Sequence, residues 1–146
     1  MQEGDEIPVP HVQQPCPPIT LTATQLKQVV EHWLRHDNLP SQVILAIPAQ
    51  NTENWTFAAL FPDENLCVQD DYECTKSGRD HPGYRLTLKK YGKILQRADG
   101  TIKKPKRHYE RVAPQIAAEW DTVCRICSQA QQFTQDIQTF LSTISL

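Results

Sequence analysis

Glycine is scarce, with five in 146 residues. They assemble no Gly-rich phosphate loop, no GxSxG elbow and no dinucleotide fingerprint, which sets aside the common nucleotide-dependent and hydrolytic enzymes. Methionine occurs once, so there is no flexible Met-rich groove. No apolar run reaches the length of a spanning helix. The first residues, MQEGDEIPVPHVQQPCPP, hold no Lys or Arg and no apolar stretch. That is not a secretory signal, and a cytoplasmic chain is expected. The five cysteines (Cys16, Cys67, Cys74, Cys124, Cys127) are an odd number. An odd count argues against an obligate disulfide framework, and reduced thiols are the expectation.

What is present points to one globular domain: 39% of residues are hydrophobic and 22% charged, within the globular range though on the polar side. The net charge of −2 hides a segregated distribution. Between Arg79 and Arg111 lie eleven basic residues against three acidic ones, a local balance of +8; the rest of the chain stands at −10. A chain that is mildly acidic overall therefore carries a concentrated positive region.

Residues 1–20 hold five prolines and read as an extended Pro-rich arm, followed by a single α+β domain over 21–146. Thr22 with Gln25 suits a capping box, and Leu26, Val29, Val30 and Trp33 form the apolar stripe of a helix from Ala23 to His36. Ser41 to Ala49 and Trp55 to Phe61 read as strands of a hairpin, Leu66 to Val68 as a candidate short strand and Tyr72 to Thr75 as a candidate edge strand. Tyr84, Leu86 and Leu88 alternate with Arg85, Thr87 and Lys89, as in a half-buried strand. Strands 93–97 and 101–104 flank Ala98-Asp99-Gly100. A three-residue loop there places Ile94 and Ile102 on one face and Arg97 with Lys103 on the other. From Pro114 onward, Ile116, Trp120, Val123, Cys127, Ala130, Thr134, Ile137, Leu141 and Ile144 repeat at spacings of four and three, a heptad-like seam. Unbroken, such a helix is about 45 Å long. It must fold back near Ser128–Gln132 or overhang the sheet, leaving Phe133, Ile137, Phe140 and Leu141 in need of a partner.

The expected fold is therefore α+β: an N-terminal helix, an antiparallel sheet of four to five strands that includes a basic hairpin, and a long C-terminal helix on one sheet face. Tyr84, Leu86, Leu88, Ile94, Val43, Leu45, Phe57 and Trp120 are the expected core. The candidate binding residues are Arg85, Lys89, Lys93, Arg97, Lys103, Lys104, Lys106 and Arg107 with Tyr91 and Tyr109. Cations gathered on a ribbon neutralise phosphate or acidic protein, and interleaved tyrosines stack on unpaired bases. Phe133, Ile137, Phe140 and Leu141 form the candidate helix interface.

Other constellations have plainer readings. The CxxC at Cys124 and Cys127 falls inside a helical pattern, where thiols act as small core residues; a zinc site completed by Cys67 and Cys74 has loose spacing. His32 and His36 stand one helical turn apart with no third ligand evident. Asp63, Glu64, Asp70, Asp71 and Glu73 read as a solvated loop or an internal counter-charge. His81 and His108 flank the basic segment as candidate general bases of a nuclease, with no spacing to support it. No cofactor, metal or enzyme activity is expected. The function read from the residues is a non-enzymatic accessory or regulatory protein-binding module, docking through the basic hairpin and the C-terminal helix on a protein partner or a second copy. The alternative is a nucleic-acid-binding protein with the hairpin 84–107 as reader.

Overall fold

A computed structural model describes residues 16–35, 38–48, 51–75 and 78–145. Most of the Pro-rich arm, and His36 of the histidine pair, lie outside the described residues. The architecture corrects the expected fold class. Among the described residues there are six helices and one two-stranded antiparallel sheet, in place of a four- to five-stranded one.

Helix α1 (Ile19–Trp33) buries Ile19, Thr22, Ala23 and Val29 and ends on Leu34 and Arg35, the latter at φ +55°. It begins a turn before the expected capping box, so Thr22 is a buried helical residue. Of the strand expected at Ser41 to Ala49, residues 41–48 run irregularly beside it with no strand, and Ala49 lies outside the described residues.

Helix α2 (Glu53–Leu60) replaces the second expected strand. Its Glu53, Asn54, Thr56, Phe57, Ala58 and Ala59 are all buried, and it touches α3, α4 and α5, whose ranges follow. A helix buried on most faces has no apolar stripe, so its sequence imitates a strand. The expected short strands at 66–68 and 72–75 are 3-10 turns, Asn65–Val68 and Tyr72–Cys74.

The alternating run at 84–90 is not a strand either. Pro82 and Gly83 open a one-turn helix α3 (Pro82–Arg85), and the chain continues through a turn into the 3-10 segment Lys89–Tyr91. Leu86 is fully buried while Leu88 is exposed, so the alternation does not map onto two faces of a sheet.

The hairpin consists of β1 (Gln96–Ala98) and β2 (Thr101–Lys103), paired Gln96 to Lys103, Arg97 to Ile102 and Ala98 to Thr101. Its loop is the two residues Asp99 and Gly100, at φ +53° and +75°. This is the mirror-image turn that Asp-Gly favours because both central residues must take positive φ. Turn chemistry thus overrides burial. Ile94 is 4% exposed and Ile102 39%, and the expected three-residue loop is incorrect.

Helix α4 (Lys106–Ala118) starts well before Pro114, which lies within it. Helices α5 (Trp120–Ile126) and α6 (Ser128–Ile144) take the heptad-like seam, broken at Cys127. In one straight helix, Trp120 and Thr134 would stand about 21 Å apart; here Trp120 Nε1 donates to Thr134 Oγ1 at 2.8 Å. The seam has closed on itself. The break has a cause in a distant residue. Buried Glu73 accepts from Ser128 N at 2.9 Å, Ser128 Oγ at 2.6 Å and Gln129 N at 3.1 Å. Those backbone donors would otherwise continue α5, and a carboxylate at a helix N-terminus satisfies them and complements the helix dipole.

The core gathers around Phe57, Leu66, Tyr72, Leu86, Tyr91, Leu95, Val123 and Cys127. Of the expected core, Phe57, Leu86 and Ile94 are buried and Trp120 packs against it, whereas Val43 and Leu88 are exposed. Cys16 and Cys74 form a disulfide with a Cα–Cα distance of 5.4 Å across 58 residues, correcting the expectation of reduced thiols for this pair, while Cys67, Cys124 and Cys127 are free. The bridge ties the start of α1 to the second 3-10 turn. Closing a loop of that length contributes about 4 kcal/mol in the chain-entropy account. No helix among the described residues is long and apolar enough to cross a membrane.

Candidate functional site

The register of the hairpin decides where its cations go. Cross-strand partners share a face, so Arg97 lies beside Ile102, and Lys103 lies with Gln96 on the opposite face. Each three-residue strand carries a single cation, and the two point apart. The expected basic ribbon does not exist, which removes the basis for both docking through it and reading nucleic acid with it.

The protein's own carboxylates neutralise much of the remaining basic run. Arg85 meets Asp80 at 2.8 Å and Glu64 at 3.6 Å, and its Nη1 donates to Tyr91 Oη at 3.2 Å. Lys90 meets Glu64 at 3.0 Å, Lys104 pairs with buried Glu53, and Lys106 meets Glu110 at 3.5 Å within α4. Hydrogen bonds from Lys90 and Tyr91 hold the Glu64 carboxyl below its usual range. Lys89, Lys93, Lys103 and Arg107 are exposed on separate segments. Tyr91 is 4% exposed and packed on Phe57 and Phe61, so it offers no stacking face. Tyr109 is half-buried; burial and the nearby Glu53 charge push its phenol up to about 12.

One cluster from the basic run remains open. A pocket of about 570 Å³ lies between the segment leading into α3 and the hairpin, lined by Gly78, Arg79, His81, Tyr84, Arg97, Gly100 and Ile102. The Arg97 guanidinium carbon stands 5.6 Å from the Tyr84 ring centroid, which holds the planar fork against an aromatic face. Neither Arg79 nor Arg97 has a carboxylate partner among the described residues.

His81 fixes the wall. Its Nδ1 accepts from Gly83 N–H at 3.0 Å, capping α3, and its Nε2 lies 2.7 Å from the Asn51 side-chain amide. Burial lowers its pKa, with the nearby Glu53 charge working the other way, so the ring is neutral at pH 7. A Cβ on Gly83 would come within 3.0 Å of the imidazole and 3.5 Å of Ile102 Cδ1. Glycine there lets helix, imidazole and hairpin close together. The other candidate general base, His108, is elsewhere, with Nδ1 3.0 Å from the Ile94 carbonyl oxygen.

The helix-interface residues divide. Phe133 stacks on Trp55 at 6.5 Å between centroids, and Phe133 and Phe140 line a hollow of about 550 Å³ between α1, the 39–47 segment and α6. Ile137 is half-buried and Leu141 exposed. The fold-back and α1 thus cover part of the surface that a straight helix would have left bare.

The cysteines form no metal site among the described residues. Cys74 is in the disulfide, and burial pushes the Cys67 thiol up to about 11 and the Cys127 thiol also upward. Such thiols are inert core residues.

Of the residues singled out from the sequence for binding, only Arg97 is in the pocket; Arg79, Tyr84 and His81 join it from outside that set. The readable signal was Asp99-Gly100, which sets the register that turns Arg97 and Ile102 toward Tyr84. No family model, curated protein or solved structure matches the chain.

Proposed function

We propose that the chain is a non-enzymatic binding protein whose ligand is a small oxyanion held between Arg79 and Arg97. The observation that carries this reading is that one pocket is lined by two arginines with no carboxylate partner among the described residues. Carboxylates of the protein meet Arg85, Lys90, Lys104 and Lys106, while the two arginines facing the pocket have none among the described residues. Guanidinium forks match oxyanions in planar, bidentate geometry. The binding role is favoured over catalysis because both ring nitrogens of His81 are set against protein groups, Gly83 N–H and the Asn51 amide. A general base needs a free lone pair within reach of its substrate. Disulfides persist mainly in oxidising compartments, so the Cys16–Cys74 bridge favours such a compartment in place of the cytoplasmic location that was expected.

The test is an equilibrium titration of the full chain with inorganic phosphate at low ionic strength. Saturable binding that falls at least about tenfold in R97A, and further in the double variant with R79A, is the expected result. Absence of saturable binding, or binding unchanged in the double variant, overturns the reading.

A further inference from the structure

The oxyanion reading leaves most of the pocket unexplained. A volume of about 570 Å³ is on the order of twenty times a water's share of liquid, about 30 Å³, and a bare phosphate fills little of it. The rest of the wall is not suited to an ion. Ile102 is 39% exposed on the face it shares with Arg97, and Tyr84 presents a half-buried ring beneath the Arg97 guanidinium. An isoleucine left facing solvent in a pocket gains from being covered by carbon, not by an ion.

Resting on the oxyanion reading, we infer that the ligand is a phosphomonoester whose organic body carries a flat ring. The phosphate sits between the Arg79 and Arg97 forks. The ring lies against the Arg97–Tyr84 stack, since guanidinium planes and aromatic faces both accept a flat partner. Ile102 covers the ring's edge. Gly100 leaves the mouth open there, as nothing lies within 4 Å of a Cβ built on it.

Calorimetric titration of the full disulfide-bonded chain with phenyl phosphate, inorganic phosphate and phenol tests this. Phenyl phosphate is expected to bind about tenfold more tightly than inorganic phosphate, with no saturable phenol binding. I102S is expected to narrow the preference for phenyl phosphate over inorganic phosphate by at least about threefold, because the ring loses the cover of its edge. Ile102 is exposed on the hairpin, so its replacement does not disturb the core. Equal affinity for the two phosphates, or a preference undiminished in I102S, overturns the ring assignment and leaves the oxyanion reading standing. Failure of both phosphates to bind overturns the two together.

Discussion

Arg85 and Arg97 belong to the same basic run, and the fold treats them in opposite ways. At Arg85 it supplies Glu64, Asp80 and the Tyr91 hydroxyl. At Arg97 it supplies an aromatic face and an open pocket. The first guanidinium has become part of the structure, closing the corner between α3 and the loop after α2. The second keeps its charge directed outward. The count of cations in a sequence therefore does not give the field at the surface. That depends on which carboxylates the fold brings back from elsewhere, here Glu53 and Glu64.

The contrast can be broken by exchanging the roles. R85A leaves Glu64 and Tyr91 without their guanidinium and is expected to lower stability by about 2 kcal/mol, read as a lower denaturation midpoint with unchanged phosphate affinity. R97A is expected to do the reverse, a loss of affinity of at least about tenfold with stability changed by no more than about 0.5 kcal/mol. If R97A destabilises as much as R85A, the arginine is structural and the distinction fails. G100A sharpens the role of the turn. Nothing obstructs its Cβ, so only the backbone at φ +75° resists, and a loss of about 1 kcal/mol is expected in chemical denaturation.

The smallest effect is a pH dependence. The native pKa of His81 lies below its ordinary 6.5 because the ring is buried, so the unfolded chain binds the proton more readily. Its contribution to stability is complete above about pH 6.5 and is lost as pH falls through the native value. Denaturation midpoints between pH 7 and 5 are expected to fall less steeply in H81N, which retains a capping side chain.

The first helix, the existence of the hairpin and the α6 apolar pattern were legible because each rests on local periodicity or turn chemistry. Helix α2 was not: with Glu53, Asn54, Phe57 and Ala58 all buried, it has no polar face to reveal a period of 3.6. The run at 84–90 misled because Tyr84, Leu86 and Leu88 alternate by chance, while Pro82 and Gly83 set a helical turn beneath them. A fold-back near Ser128–Gln132 was only one of two alternatives to the expected long helix, and the cause of the break, Glu73, is 55 residues from Ser128. The pocket was illegible for a related reason. It depends on Arg79 and Arg97 forming no ion pair with a carboxylate among the described residues and on a one-residue difference in hairpin register.

The most direct measurement follows the side-chain Nε–Hε resonances of Arg79, Arg85 and Arg97 by nuclear magnetic resonance during titration with phosphate. Saturable shifts at Arg79 and Arg97, with Arg85 stationary, are the expected result. Equal movement of all three, or movement at Arg85 alone, would contradict the division between a structural and an available arginine.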